Sequence, residues 1–339
     1  MRKYWLLLIL WLSFLFSCKH PVANVQSKEQ DSLIKKALGD PQVKVLTEQI
    51  SKDPKSAENY FTRSNILMQA NFIRAAFNDI STAIALDSSN TKYYFSIGDI
   101  YLKGANVRGA LSAFNSVLKF DPKNEEALMR MSKVYFYEKN YTNSLKQLEN
   151  LEKINKNNPE INFIRGMNYK EMGDTTHALA AFQNAVSINP AFYDAYMELG
   201  LLSMHQPGGQ APQYFDNAIR IDSSSTEAYY DKGKFFQERK EYEKAKDIYH
   251  RLIMIDPQYQ NAYFNLGFIF INQDSIDKAY RMFDLAIKVS PAYAEAYYYR
   301  GLCSLQKGRK EDAIDDFRQA ITLKPEYEPA QKELNNITR

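Results

Sequence analysis

Glycine, proline and cysteine are all scarce in this chain of 339 residues, which contains 13 glycines, 12 prolines and two cysteines. Glycine and proline are each below their usual shares of about 7% and about 5%, so few residues are available to build tight turns. This composition excludes collagen and argues against a turn-rich sandwich or barrel. Two cysteines cannot provide a disulfide framework or a zinc site with four thiolates.

The chain also has no large excess of basic or of acidic residues. The chain has 43 lysines and arginines against 40 aspartates and glutamates. Without Arg2 and Lys3, which lie in an amino-terminal leader, 41 basic and 40 acidic residues remain. A nucleic-acid-binding protein needs a concentrated basic surface, which this balance does not indicate. Aromatic residues, in contrast, are abundant, with 24 tyrosines and 20 phenylalanines.

The leader has a basic start followed by an apolar run over residues 4–16, and then Ser17 and Cys18. This run is shorter than the ~20 residues that a permanent transmembrane helix needs. The pattern therefore predicts a secretory signal peptide over residues 1–17.

The end of the leader resembles the signal of bacterial lipoproteins, in which a leucine and two further residues precede an invariant cysteine. The matching residues are Leu15, Phe16, Ser17 and Cys18. The resemblance implies a palmitate-bearing, acylated Cys18 that anchors the protein to a lipid bilayer, because two or more acyl chains hold stably. Lys19 after the cysteine implies the outer membrane, with the protein facing the periplasm. An ordinary signal peptide with a chance cysteine is the alternative.

A repeat of 34 residues occupies about four fifths of the chain. Eight contiguous copies, numbered here repeats 1 to 8, cover residues 57–90, 91–124, 125–158, 159–192, 193–225, 226–259, 260–293 and 294–327. Repeat 5 has 33 residues and the others have 34. Each repeat is interpreted as two amphipathic helices, at repeat positions 2–14 and 17–30, joined by a short turn.

Two positions of the repeat are small and one is large throughout. Position 8 is glycine or serine, as in Gly233, and position 20 is alanine or serine, as in Ala245. Position 24 is large and apolar, as in Phe283. Small residues let two helices approach closely, and a large residue fills the space that remains.

At these positions, and at the proline of position 32, the sequence resembles the tetratricopeptide repeat family. The resemblance implies an all-α fold, a right-handed α-solenoid of eight helix-turn-helix repeats in which each repeat packs on its neighbours. Short helical caps are expected at both ends, at residues 31–56 and 328–339. Residues 18–30 are expected to form the lipidated cysteine and its tether.

Residues that could carry chemistry are few. The histidines are His20, His177, His205 and His250, and no two have metal-ligand spacing. Cys303 is at a position where repeats favour a small buried residue. The segment Pro207-Gly208-Gly209 is interpreted as an altered turn inside repeat 5, with a specific contact loop as the alternative. No catalytic site, metal site or cofactor is predicted, and the chain is not predicted to be an enzyme.

In the resembled family, first helices line a concave groove, and position 5 usually points into it. The predicted partner-binding residues are the eight position-5 side chains and one side chain of position 12, namely Phe61, Phe95, Met129, Phe163, Met197, Tyr230, Phe264, Tyr298 and Phe136. Burial of a few such side chains gives useful affinity for a protein segment, since each is worth ~1.5–3 kcal/mol. The alternative is that these residues pack in the core between adjacent first helices.

The predicted function is a non-catalytic protein-binding scaffold or adaptor of the bacterial cell envelope. Its partners would be other envelope proteins, bound in the groove, and the lipid bilayer, bound through Cys18. Neither a nucleic acid nor a small-molecule substrate is expected. A self-assembling envelope protein, forming a homo-oligomer, and a regulatory subunit of an envelope enzyme complex remain as alternatives.

Overall fold

The computed structural model describes residue 37, residues 39–206 and residues 208–338. Eighteen α-helices account for most of these residues, and no strand occurs among them. The all-helical prediction is confirmed. Two compact units divide the chain, the first ending at Lys156 and the second beginning at Asn157.

The first compact unit has seven helices within its described part. They are Pro41–Lys52 (α1), Ala57–Gln69 (α2), Ile73–Leu86 (α3), Thr91–Lys103 (α4), Val107–Phe120 (α5), Glu125–Tyr137 (α6) and Tyr141–Ile154 (α7). Helix α1 precedes repeat 1, and each of repeats 1 to 3 supplies one of the following consecutive pairs.

The second compact unit has eleven helices within its described part. They are Pro159–Glu171 (α8), Thr175–Ile188 (α9), Tyr193–Ser203 (α10), Ala211–Ile221 (α11), Thr226–Glu238 (α12), Tyr242–Ile255 (α13), Gln260–Asn272 (α14), Ile276–Val289 (α15), Ala294–Gln306 (α16), Lys310–Leu323 (α17) and Glu328–Thr338 (α18). Within each unit, the two helices of a repeat pack on each other, and the second packs on the first helix of the next repeat.

Position 8 and position 24 interlock in the repeats that have a glycine at position 8. A Cβ atom at Gly233 would lie 2.5 Å from Cε1 of Tyr249, and one at Gly267 would lie 2.7 Å from Cε1 of Phe283. Both aromatic side chains are fully buried. Glycine is therefore required at these positions, because the ring of the second helix lies where a side chain of the first helix would begin.

The turn between the two helices uses a left-handed residue at position 15. Positive φ angles occur at Asn71, Ala105, Lys139, Gly173, Lys240, Asp274 and Gly308. In these turns the N–H of position 16 donates to the carbonyl of position 11, as in Phe72 to Leu67 over 2.8 Å, which is the Schellman ending of a helix. Five of these turns place a non-glycine residue there, so most of the chain's turns need no glycine.

Repeat 5 has a different turn. Its helices α10 and α11 are 11 residues each, against 13 and 14 in the neighbouring repeats. Gly208 has a φ of 68°. A Cβ atom at Gly209 would clash with the carbonyl oxygen of Ser203. The glycine pair therefore lies in a turn between Ser203 and Ala211 that is longer than the turn between Glu238 and Tyr242 in repeat 6, and the two helices that it joins are shortened.

Candidate protein-binding surface

The position-5 side chains of the second compact unit are held by ring contacts. The Phe264 ring centroid lies 5.5 Å from that of Phe283 and 5.0 Å from that of Tyr293. These partners are positions 24 and 34 of the same repeat. The same pair of contacts joins Phe163 to Phe182 and Phe192, Tyr230 to Tyr249 and Tyr259, and Tyr298 to Phe317 and Tyr327. Each position-5 ring is half-buried and contributes to packing within its repeat.

The predicted aromatic residues of the first compact unit are half-buried in the same way. The nearest ring contacts are Phe61 with Tyr93 at 5.1 Å, Phe95 with Phe114 at 6.1 Å, and Phe136 with Tyr137 at 5.7 Å. The guanidinium of Arg130 lies 5.0 Å from the centroid of the Phe95 ring. Tyr137 itself is 80% exposed, which makes it the most accessible aromatic side chain beside these residues.

Two of the predicted binding residues, Met129 and Met197, are buried. Met129 is 8% exposed and Met197 is 5% exposed, so neither can contact a partner without repacking. Met197 belongs to the core cluster that also contains Phe182 and Phe215. A flexible thioether fills space between helices here, which is a frequent role of methionine in cores.

A surface of tyrosines and carboxylates lies on repeats 6 to 8. We call it the tyrosine surface and define it as Glu227, Tyr230, Asp231, Tyr259, Tyr293, Glu295, Tyr298, Tyr299 and Tyr327. All of its tyrosines are half-buried. Burial raises the pKa of Tyr293, and Glu295 and the hydroxyls of Tyr230 and Tyr327 raise it further. These side chains are therefore close enough to interact across three successive repeats.

Position 34 supplies half of these tyrosines, although the predicted binding residues were all at positions 5 and 12. In earlier repeats this position caps the next helix: the side chains of Asn90 and Asn124 accept backbone N–H bonds at the start of α4 and α6. Tyr259 and Tyr293 occupy the same position without a side-chain cap. A lost cap costs ~1 kcal/mol, and the ring contacts with position 5 offset it. The change from asparagine to tyrosine is visible in the sequence and could have indicated this surface.

Asp231 is the most perturbed carboxylate of the tyrosine surface. Burial, followed by the negative charge of Glu227, raises its pKa to about 6, although Lys234 acts in the opposite direction. Glu227 and Asp231 are one turn apart on α12, so they share a face of that helix. Among the described residues, no cation forms an ion pair with either carboxylate. The site therefore concentrates negative charge beside aromatic rings.

The hydroxyl of Tyr249 links the buried interlock to this surface. It donates to Oε1 of Gln237 over 2.8 Å and accepts from Nδ2 of Asn265 over 3.0 Å. The ring of Tyr249 is the plug beside Gly233. Packing inside repeat 6 thus fixes polar groups on the first helices of repeats 6 and 7.

The first helices of the two compact units differ in charge. Over repeat positions 2, 6, 9, 12 and 13, repeats 4 to 8 have eight carboxylates and two lysines. Repeats 1 to 3 have three carboxylates and four basic residues at the same positions. The first helices of the second unit therefore have a negative field that the first unit lacks.

Apolar cavities occur among the described residues of the first compact unit. One of about 500 Å³ lies between repeats 1 and 2 and is lined by Phe72, Ile73, Phe77, Ile100 and Tyr101 among others. Another of about 370 Å³ is lined by Leu102, Val107, Arg130, Lys133, Val134, Tyr137 and Glu138. Both lie within the size range of cavities that accept a side chain or a small ligand.

Groups with reactive potential are dispersed. Cys303 is 1% exposed, and burial raises the pKa of its thiol to about 11, so it is a neutral core residue at physiological pH. His177, His205 and His250 are exposed on separate helices or turns. In the described ranges, no three histidines, cysteines or carboxylates are grouped as metal ligands. Cys18 and His20 lie outside the described residues, and none of the described helices has the length and hydropathy of a membrane span.

Models of the tetratricopeptide repeat match residues 159–192, 226–259, 260–293 and 294–327. These ranges are repeats 4, 6, 7 and 8. The chain carries tetratricopeptide repeats. Proteins with such repeats generally bind protein partners and are generally non-catalytic scaffolds.

A solved tetratricopeptide repeat structure is similar in fold. The C-terminal part of a repeat-containing protein from Cytophaga hutchinsonii is 20% identical, with a TM-score of 0.62, over 72% of this chain and 99% of that one. A tetratricopeptide repeat protein from Parabacteroides merdae is also 20% identical, with a TM-score of 0.49, over 74% of this chain and 100% of that one. No curated protein matches the sequence.

Proposed function

We propose that this chain is a non-catalytic scaffold of the bacterial cell envelope that binds segments of other envelope proteins on its first helices. The observation that carries the proposal is the tyrosine surface. Tyrosines and phenylalanines are frequent binding residues because they bury a large area with few rotatable bonds. Six half-buried tyrosines with an exposed edge are available there, whereas the buried Met129 and Met197 are not.

Photo-crosslinking in cells tests where the partner binds. A photoreactive amino acid is placed at the exposed Lys234 on α12 or at Asn261 on α14, both on first helices. The control positions are Met254, which is 83% exposed on the second helix α13, and the exposed Arg251 beside it. We expect covalent adducts with other proteins from the first-helix positions and few from the controls. An adduct of two copies of this chain would favour self-assembly.

Anchoring is proposed to occur through acylated Cys18, which would place the scaffold at the outer membrane, facing the periplasm. The support for this is the leader of residues 1–17 and its match to the lipoprotein signal at Leu15 to Cys18. A scaffold fixed to a surface raises the local concentration of whatever it binds, so anchoring and capture act together.

Replacement of Cys18 by serine tests the anchor, because a hydroxyl cannot take the thioether-linked lipid. We expect Cys18→Ser to lose palmitate labelling and to leave the membrane fraction. Cys303→Ser is the matched control, since that thiol is buried in repeat 8, and its labelling should equal that of the unchanged protein. Palmitate labelling that persists in Cys18→Ser would contradict lipidation at this residue.

A further inference from the structure

The pair Glu227 and Asp231 lacks the cation that several other carboxylates of the second compact unit have. Glu198 pairs with Lys170 at 2.6 Å, and Glu295 pairs with Lys324 at 2.8 Å. Asp284 and Asp316 both pair with Arg300. Asp231 is half-buried like most of these residues, yet no described lysine or arginine forms an ion pair with it, and Lys234 only partly offsets the rise in its pKa.

A half-buried carboxylate beside a second carboxylate is unfavourable unless a cation compensates it. Asp231 has that environment, with burial and Glu227 both opposing its ionisation. Its neighbours include aromatic rings: burial raises the pKa of Tyr259, and Tyr230, Asp231 and Glu227 raise it further, so these four groups are mutually close. The rings of Tyr230 and Tyr259 are 5.6 Å apart. Aromatic faces attract organic cations, and carboxylates form charge-assisted hydrogen bonds with them.

We propose that Glu227, Asp231, Tyr230 and Tyr259 form a subsite for a lysine or arginine side chain of the partner segment. This inference rests on the proposed function and specifies the chemistry of the partner. Charge complementarity determines the occupant: the first helices of repeats 4 to 8 have eight carboxylates against two lysines at the positions compared above. The carboxylates of these helices attract a basic protein segment that can also pack on the aromatic rings, and they repel an acidic segment.

Peptide binding to the full chain tests the subsite. Three fluorescent 12-residue peptides share two tyrosines and differ only at three positions, which are lysine, glutamine or glutamate. Fluorescence anisotropy at low ionic strength should give the highest affinity for the lysine peptide and the lowest for the glutamate peptide. Equal affinities for the lysine and glutamine peptides would overturn the proposal.

Asp231→Asn removes the charge and keeps the shape of the side chain. We expect it to weaken the lysine peptide by about tenfold, which is the usual effect of losing a charge-assisted hydrogen bond, and to leave the glutamine peptide unchanged. The control is Asp315→Asn, which makes the same charge change at an exposed position of the second helix α17. A midpoint of thermal unfolding equal to that of the unchanged protein shows that each variant is folded. Equal losses in the two variants would overturn the subsite.

The pH dependence of the affinity for the lysine peptide gives a second test of Asp231, which is independent of the affinity at any single pH. The groups that face Asp231 are Glu227 and Lys234 on α12, Tyr249 on α13, and Tyr259 before α14. Since the pKa of Asp231 is about 6, the carboxylate is ionised at pH 7.5 and mostly protonated at pH 5. Lysine-peptide binding should therefore weaken from pH 7.5 to pH 5, and this change should be much smaller in Asp231→Asn. The same pH dependence in both proteins would contradict the role of Asp231.

Failure of the subsite and failure of the proposed function are distinguishable. If crosslinks form from Lys234 and Asn261 but the lysine peptide shows no preference, the partner binds the first helices without a basic anchor, and only the subsite is overturned. If the lysine peptide binds through Asp231 but no first-helix crosslink forms in cells, the subsite stands and the cellular capture is contradicted.

Discussion

Substitution of Gly233 by leucine is expected to destabilise the second compact unit by about 3 kcal/mol or more, the upper range for overpacking a core. The reason is the interlock with Tyr249, whose Cε1 would lie 2.5 Å from the first added atom. Tyr249 is fully buried and cannot move outward. Its hydroxyl also bonds Gln237 and Asn265, so displacement of the ring should disturb the tyrosine surface as well. Urea denaturation followed by circular dichroism measures the loss.

Gly104→Leu is the matched control for this substitution. Gly104 is exposed at the end of α4, and the nearest atom to an added Cβ is a backbone oxygen at 3.6 Å, an ordinary contact. Its change in unfolding free energy should stay within about 0.5 kcal/mol. If Gly233→Leu and the unchanged protein unfolded at the same midpoint urea concentration, the interlock and the repeat alignment on which it depends would be contradicted.

Arg300→Met is expected to cost about 3–5 kcal/mol, because it leaves a buried carboxylate without its partner. The Arg300 guanidinium donates to Asp316 through Nε at 3.0 Å and Nη2 at 2.7 Å, and to Asp284 through Nη1 at 2.6 Å. The Asp316 side chain is 7% exposed. Methionine has a similar length but no donors, so Asp316 loses its ion pair, whereas Asp284 keeps its pair with Lys288 at 2.8 Å.

The loss in Arg300→Met should decrease as pH falls. Burial already raises the pKa of Asp316 in the folded protein, and Arg300 opposes that effect. Without Arg300 the pKa rises further, so the folded variant binds a proton more tightly than the unfolded chain does. A carboxyl group whose pKa is higher in the folded state destabilises the fold most at neutral pH, where it must be ionised. Asp316 should therefore destabilise the variant least below the pKa of the unfolded chain, which is near 4.

The control for this prediction is Arg318→Met on the second helix α17, which also carries Asp316. Arg318 is 64% exposed and lies 3.9 Å from Asp315, an arrangement worth little in water. Its unfolding free energy should therefore change little at either pH. A loss in Arg300→Met that is as small, or that is equal at pH 4 and pH 7, would contradict the account of the buried pair.

Much of the helical framework could be predicted because the same pattern of small and large residues occurs in every repeat. Positions 17–30 gave the second helices 73–86, 107–120 and 276–289 as the structure has them. The first helices begin one residue before the predicted position 2, as Ala57 and Thr91 show. Side chains such as Asn90 cap the helix from the preceding position, so the helix starts one residue earlier than predicted.

The binding surface was less predictable, because a pattern at one position does not show what its neighbours cover. Position 5 is aromatic in most repeats, but position 34 determines how much of each ring is exposed. In repeat 7, Tyr293 packs on Phe264 at 5.0 Å. The environment of Asp231 depends on residues from α12, α13 and the loop before α14, which are brought together only by folding.

The measurement that tests the central claim most directly is the yield of photo-crosslinks from the two faces of one repeat pair. The account predicts that Lys234 and Asn261, on first helices, form adducts with other proteins at several times the yield of Met254 and Arg251 on α13. Equal yields from the two sets, or adducts only from α13, would contradict the claim that the first helices form the binding surface.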